Sequence, residues 1–212
     1  MHICKERFTL YAVTDRKWLK KGETLAKQVE QAILGGVTVV QLREKHADYE
    51  TFLQQAREVK QITDKYDVPL IINDNIDIAL AVDAAGVHVG QCDLDAELVR
   101  QKIGDKKVIG VSAKTVEQAL KAEQAGADYL GVGAMFPTES KLDTSRITIE
   151  TLTEICRAVQ IPVVAIGGID VKNIVQLQRT GIVGPAVISA IFAQPDVRQA
   201  AAQLAELWRV LR

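Results

Sequence analysis

Short runs of β-branched and other apolar residues alternate with longer amphipathic stretches along the whole chain. The apolar runs predict eight strands, at 8–14, 37–43, 69–73, 85–90, 107–111, 127–133, 162–166 and 184–188. Between them apolar residues recur at helical spacing, as at Leu25, Val29, Ala32 and Ile33. Several strands are almost wholly apolar, which is typical of strands buried on both faces of a sheet.

This alternation predicts an α/β fold with a parallel sheet, and eight units predict closure into a single (β/α)8 TIM barrel. No composition break or Pro/Ser-rich linker divides the chain, so one catalytic domain over residues 1–212 is expected. An open, doubly wound sheet is the alternative, although no GxGxxG follows the first strand. Four glycines precede strands and are expected to end helices in a left-handed conformation: Gly36, Gly86, Gly126 and Gly181.

The formal net charge is −1, which argues against nonspecific attraction to nucleic acid or anionic lipid. No segment approaches the roughly 20 apolar residues that a membrane span needs. The three cysteines lack the spacing of a disulfide framework or a metal site. We therefore expect a cytoplasmic protein that binds neither nucleic acid nor membrane and holds any anionic substrate with a local cluster of cations.

In such barrels the chemistry lies on the loops that follow the carboxyl ends of the strands. Strand two ends in five residues that include three charges: Gln41, Leu42, Arg43, Glu44 and Lys45. Side chains alternate along a strand, so Gln41, Arg43 and Lys45 leave one face and Leu42 the other. The alternative is that both cations are solvated, with Glu44 and Asp48 as partners. Their position directly after a buried strand favours a site in the barrel mouth.

Strands three and four are followed by the carboxylates Asp74 and Asp93, close to the amides of Asn73 and Gln91. Carboxylate oxygens on adjacent strand ends suit Mg²⁺, which prefers hard oxygen ligands. The alternative makes Asp74 the N-cap of a helix beginning near Asn75, and Asp93 the cap of the next helix.

The remaining strand ends carry hydroxyl groups, a lysine and glycines. Ser112 follows strand five, and the long connection after strand six, with Lys141, is a candidate lid. Gly167 and Gly168 follow strand seven, where these barrels usually bind phosphate. His88 lies within strand four and is interpreted as a packed core histidine. No spacing supports a Ser–His–Asp or Cys–His arrangement.

Together these segments resemble the thiamine phosphate synthase family over nearly the full chain. The matching segments are 10–15, 41–45, 72–74, 86–93, 110–112, 131–133, 136–141, 165–169 and 187–191. The resemblance implies that Arg43, Lys45, Ser112 and Lys141 are catalytic, and that Asp74 and Asp93 bind Mg²⁺. It implies a pyrimidine-diphosphate site formed by Gln41, Arg43, Lys45, Asn73, Ser112 and Lys141. A thiazole-phosphate site would comprise Thr138, Ser140, Gly168, Ile188 and Ser189, and Leu42, Glu44 and Glu139 complete the substrate-binding set.

The implied reaction joins a hydroxymethylpyrimidine to a thiazole phosphate and releases pyrophosphate, through a pyrimidine carbocation. Cations and Mg²⁺ would stabilise the leaving group as its charge develops, and no strong base is needed. The chain departs from the family pattern at Lys114 and Asn75, where the family often has histidine and arginine. The resemblance also suggests a homo-oligomer.

Two other functions remain open on the sequence. A thiazole tautomerase of a related isomerase group would share the barrel, but such proteins tend to lack the Asn-Asp and Gly-Gln-x-Asp segments and use a histidine after the serine. A non-catalytic sensor of phosphate ligands is the second, because fold alone does not determine function.

Overall fold

The computed structural model describes residues 4–90, 96–138 and 146–212, and within them eight parallel strands form a closed barrel in chain order. The strands are β1 (Tyr11–Val13), β2 (Val39–Leu42), β3 (Leu70–Asn73), β4 (Gly86–Val89), β5 (Val108–Ala113), β6 (Tyr129–Val132), β7 (Val163–Ile166) and β8 (Gly184–Val187). Pairing of β1 with β8 closes the sheet, with Tyr11 beside Ala186. The predicted barrel is therefore confirmed, and an open sheet is excluded.

Helices cover the outside of the barrel. They are α1 (Leu25–Leu34), α2 (Tyr49–Lys65), α3 (Ile76–Ala81), α4 (Ala96–Ile103), α5 (Val116–Gln124), α6 (Ile149–Ala158), α7 (Ser189–Phe192) and α8 (Val197–Leu211). Between β7 and β8 the chain forms only a 3-10 helix, Ile174–Leu177. Further 3-10 helices occupy Lys5–Phe8 and Arg16–Trp18. The first strand consequently begins later than the sequence predicts, because residues up to Phe8 are helical.

Two apolar cores lie on opposite faces of the strands. The larger core, between strands and helices, contains Leu42 and Ile72. The smaller core fills the barrel interior and includes Tyr11, Ile71 and Tyr129. Leu42 is fully buried in the outer core, whereas the side chain of neighbouring Gln41 bonds to Tyr11 inside the barrel. The predicted alternation along strand two is thus confirmed.

The glycines before strands serve two different purposes. Gly36 and Gly126 directly follow the C-caps of α1 and α5 and have positive φ angles of 106° and 87°, as expected for residues that end helices. Gly181 also has a positive φ, of 97°, but the preceding 3-10 helix ends at Leu177, so Gly181 does not end a helix. The expectation for Gly86 was wrong, because this residue is the first of β4. A Cβ atom there would lie 2.0 Å from the carbonyl oxygen of Val108 on the neighbouring strand. Gly86 is required for close strand packing.

None of the helices in the described ranges is long and apolar enough to cross a membrane.

Candidate active site

The end of β2 brings the two predicted cations to the barrel mouth. The backbone N–H of Arg43 donates to Thr14 Oγ1 at 3.0 Å, and the N–H of Thr14 donates to the Gln41 carbonyl at 2.9 Å. These bonds extend the pairing of β1 and β2 beyond the last strand residues. They fix the backbone from which Arg43 and Lys45 project.

Neither Arg43 nor Lys45 forms an ion pair with any residue in the described part of the chain. The two carboxylates suggested as their partners, Glu44 and Asp48, interact with other groups. Glu44 pairs with Arg16 at 2.7 Å, and Asp48 caps α2 by accepting from the Thr51 N–H at 2.8 Å. The structure therefore does not support the alternative in which Glu44 and Asp48 neutralise the two cations.

The side chains of Leu42 and Glu44 are buried and interact with other parts of the protein. Leu42 is in the outer core, and the Glu44 side chain is 5% exposed. Burial raises the pKa of Glu44 above its usual range, although Arg16 opposes that shift. The structure therefore gives neither side chain a contact that supports substrate binding, and their predicted role stays a prediction.

Asn73 and Asp74 lie side by side where β3 ends. The Asn73 amide donates a hydrogen bond to the Asp74 carboxylate, and the Asp74 N–H donates to the His88 carbonyl at 2.9 Å. Asp74 has a φ of 62°, a left-handed conformation that aspartate and asparagine tolerate better than most residues. Its exposed carboxylate does not cap α3. The helix-cap interpretation of Asp74 was therefore wrong.

Asn75 is the residue that caps α3, since its side chain accepts from the Ile78 N–H at 2.9 Å. Asn75→Ala should destabilise the protein by about 1 kcal/mol, the usual contribution of an N-cap. We expect little loss of activity, because the capping oxygen faces the helix. Urea denaturation and a turnover assay on the same preparation test both expectations. A large loss of turnover in a stably folded variant would contradict this division of roles.

Several predicted site residues lie outside the described residues: Gln91, Asp93, Glu139, Ser140 and Lys141. Their roles remain predictions, as does the lid. Among the described residues no three His, Cys, Asp or Glu side chains cluster as a metal site. A magnesium site that contains Asp74 would need the contribution predicted for Asp93, or oxygens from substrate and water.

A cleft on the other side of the mouth is lined by the residues predicted for a phosphate. These include Thr138, Gly168, Ile188 and Ser189. Gly168 has a φ of 66°, and a Cβ atom there would lie 2.4 Å from the Pro137 carbonyl oxygen. The short helix α7 begins at Ser189 without a side-chain cap. The structure thus brings the described members of this set together.

The barrel interior holds a polar cluster that the sequence analysis did not assign. The Tyr11 and Tyr129 hydroxyl oxygens are 2.7 Å apart, and His88 lies between Tyr129 and Ser112. Burial raises the pKa of both tyrosines. His88 is packed in the interior, as interpreted, but it also contacts a predicted catalytic serine. No local sequence signal could have found this contact, since it depends on the register that places His88 beside Asn73 and Gly110 on the neighbouring strands.

Comparisons with known proteins identify the family of this chain. The family model "Thiamine monophosphate synthase" matches residues 10–191. The chain belongs to the thiamine monophosphate synthase family. It is 58% identical to "Thiamine-phosphate synthase" of Clostridium tetani (strain Massachusetts / E88), over 96% of this chain and 97% of the relative. It is also 58% identical to the enzyme of that name from Ruminiclostridium cellulolyticum, over 95% of both chains.

A solved structure supports the same assignment. "Thiamine phosphate pyrophosphorylase from Pyrococcus furiosus" superposes with a TM-score of 0.90 at 37% identity, covering 99% of each chain. The predicted family, fold class and transferase class are therefore confirmed.

Proposed function

We propose that this member of the thiamine monophosphate synthase family transfers a hydroxymethylpyrimidine group from its diphosphate to a thiazole phosphate. The products are thiamine monophosphate and pyrophosphate. One observation carries the proposal beyond family membership: Arg43 and Lys45 leave β2 at the barrel mouth without an ion pair in the described ranges. Cations without an ion pair at the carboxyl end of a barrel strand suit an anionic substrate, since active sites of these barrels form there.

The diphosphate would lie between these cations and the end of β3. As the bond from the pyrimidine methylene to oxygen breaks, its electron pair passes to the departing pyrophosphate. Arg43 and Lys45, with Lys141 as a predicted third cation, would stabilise that developing charge. The lone pair of the thiazole nitrogen then forms the new C–N bond. No proton is transferred in this step, which is consistent with a site built from cations and amides.

The Asp74 carboxylate fits a magnesium ligand, because it is a hard oxygen donor that is exposed and not used as a helix cap. Asp93 is the predicted second ligand. Bound Mg²⁺ would neutralise part of the diphosphate charge. Asn73 holds the Asp74 carboxylate through its amide and so orients it.

The thiazole phosphate would occupy the cleft beside Gly168 and Ser189, with Thr138 at its edge. Gly168 lies against the backbone of residues 136–137, and the Asn173 amide donates to its carbonyl at 2.8 Å. These contacts hold the turn after β7 in one conformation. The absence of a side chain at Gly168 lets the two backbone segments that border the cleft pack together.

Gly168→Val should raise the KM for the thiazole phosphate by roughly tenfold or more, because the side chain would displace the backbone of residues 136–137, next to Thr138 at the edge of the cleft. Pyrimidine diphosphate should still bind, since Arg43 and Asn73 lie on other strands. Calorimetry measures the affinity for each substrate separately. Gly22→Val is the matched control: Gly22 has a φ of 82°, but a Cβ atom there meets nothing within 4 Å. Equal loss of affinity for both substrates in Gly168→Val would contradict the two-part site.

A pyrophosphate-release assay with both substrates tests the proposed function against its alternatives. A synthase releases pyrophosphate in step with thiamine monophosphate formation. A tautomerase would release none, and a sensor would bind ligands without turnover. Assembly into a homo-oligomer and a cytoplasmic location stay predictions.

A further inference from the structure

Four consecutive hydrogen bonds cross the barrel interior and join two residues assigned to the pyrimidine-diphosphate site. Gln41 Nε2 donates to the Tyr11 hydroxyl at 2.8 Å, and the Tyr11 and Tyr129 hydroxyls are 2.7 Å apart. Tyr129 Oη lies 3.0 Å from His88 Nδ1, and His88 Nε2 lies 3.1 Å from Ser112 Oγ. The series therefore runs from the end of β2 to the end of β5.

Two glycines leave the space that the central side chains occupy. A Cβ atom on Gly110 would lie 2.1 Å from the Tyr129 ring and 2.4 Å from His88 Nδ1. A Cβ atom on Gly131 would lie 2.9 Å from His88 Cε1. TIM-barrel interiors are usually filled by bulky branched residues. Here β5 and β6 instead carry glycine at these two positions, which leaves room for the imidazole between Tyr129 and Ser112.

Counting the protons available to these four hydrogen bonds favours one donor-to-acceptor direction along the whole series. Tyr11 is 1% exposed and accepts from Gln41, so its own proton requires another acceptor. The neighbouring acceptor is the Tyr129 oxygen. Tyr129, which is 0% exposed, then donates to His88 Nδ1. Burial raises the pKa of both phenols, so each keeps its proton at neutral pH.

The opposite direction leaves a buried donor without an acceptor in the series. If His88 Nδ1–H donated to Tyr129, Tyr129 would donate to Tyr11. Tyr11 would then accept twice, and its own proton would have no acceptor among these groups. An unsatisfied buried donor costs about 1–3 kcal/mol. The direction from Gln41 to Ser112 is therefore the stable one, and it places the imidazole proton on Nε2.

We propose that His88 is a positioning residue for the transfer reaction, which orients the Ser112 hydroxyl as a hydrogen-bond donor toward the pyrimidine diphosphate. With Nε2–H donating to Ser112 Oγ, the serine proton points away from the imidazole. Tyr129 acts through His88 by holding Nδ1 as an acceptor. The inference rests on the proposed function for the role of Ser112, but not for the hydrogen-bond direction.

Nitrogen NMR on the unmodified protein tests the hydrogen-bond direction without any substitution. The chain has three histidines, so the His88 resonances are assigned by their absence in His88→Gln. At neutral pH we expect a protonated Nε2 and an unprotonated Nδ1. A proton on Nδ1, alone or together with Nε2, would overturn the proposal.

A double-mutant cycle tests whether Tyr129 and His88 act through Ser112. Tyr129→Phe removes one hydroxyl and keeps the ring, whose centroid lies 4.7 Å from that of Phe8. We expect this variant to lower the single-turnover rate about tenfold, as for loss of a group that orients a site residue. In the Ser112→Ala background the same change should have less than about a twofold effect, since coupled residues are not additive. An equal factor in both backgrounds would mean that Tyr129 is only structural.

A comparison of two substitutions at His88 provides a third test. His88→Gln can place an amide N–H near the position of Nε2, whereas His88→Phe has a ring without a donor. We expect the glutamine variant to keep more of the single-turnover rate than the phenylalanine variant at equal thermal stability. Equal rates would contradict the positioning role. If the unmodified chain forms no thiamine monophosphate, the proposed function fails, while the NMR result still decides the hydrogen-bond direction.

Discussion

Asp74→Asn is expected to lower turnover about 100-fold while the protein remains folded. Asparagine keeps the shape of the side chain and tolerates the left-handed conformation at this position, where φ is 62°. The variant loses the carboxylate charge and exchanges one acceptor oxygen for an amide donor. Because a weaker ligand can be compensated by mass action, raising the Mg²⁺ concentration should restore part of the activity. Turnover measured across a Mg²⁺ titration checks this result.

Asp77→Asn is the matched control, since it makes the same change on the exposed surface of α3. We expect its turnover and its Mg²⁺ requirement to be those of the unmodified chain. The magnesium assignment would be contradicted if chelator-treated enzyme remained fully active. It would also be contradicted if Asp74→Asn and Asp77→Asn had the same turnover and the same Mg²⁺ requirement.

Arg43→Met is expected to reduce the single-turnover rate about 100-fold or more, because the guanidinium stabilises charge that develops as pyrophosphate leaves. Methionine retains much of the alkyl chain and removes the charge. The fold should be unaffected, since Arg43 forms no ion pair within the described ranges and its backbone is held by Thr14. Rapid-quench measurement at saturating substrate separates this loss from weaker binding.

Arg57→Met is the control for loss of one positive charge, because Arg57 is exposed on α2, outside the barrel. Its rate should be unchanged. If Arg43→Met raised only the KM for pyrimidine diphosphate and left the single-turnover rate intact, Arg43 would bind the substrate without stabilising the transition state.

The strands and their inward and outward positions could be predicted from the sequence, because apolar runs and side-chain alternation are local properties. All eight strands form close to their predicted positions. Gln41 and Leu42 face opposite sides, as alternation requires. The same reasoning placed the described phosphate-site residues together, since parallel strands end at one mouth of the barrel.

The cap of α3 shows where local reasoning fails. Asp74 and Asn75 are adjacent, and both residue types make good N-caps. The assignment depended on the residue at which the helix begins, and boundaries read from sequence carry errors of a few residues. The structure places the cap on Asn75 and leaves the Asp74 carboxylate exposed.

Contacts between distant segments could not be predicted from the sequence, because they depend on strand register and packing. The Glu44–Arg16 ion pair joins the segments that follow β2 and β1, and no spacing rule predicts it. The contact of His88 with Ser112 requires that β4 and β5 pair with His88 beside Gly110. Once that register is known, the histidine becomes part of the site.

Crystals grown with Mg²⁺, pyrophosphate and thiamine monophosphate provide the most direct test of the two-part site. We expect pyrophosphate to lie against Arg43 and Mg²⁺ to be held by Asp74. We expect the phosphate of the thiazole half in the cleft beside Gly168 and Ser189. A pyrophosphate bound away from Arg43 and Asp74, or a thiazole phosphate outside that cleft, would contradict the two-part site.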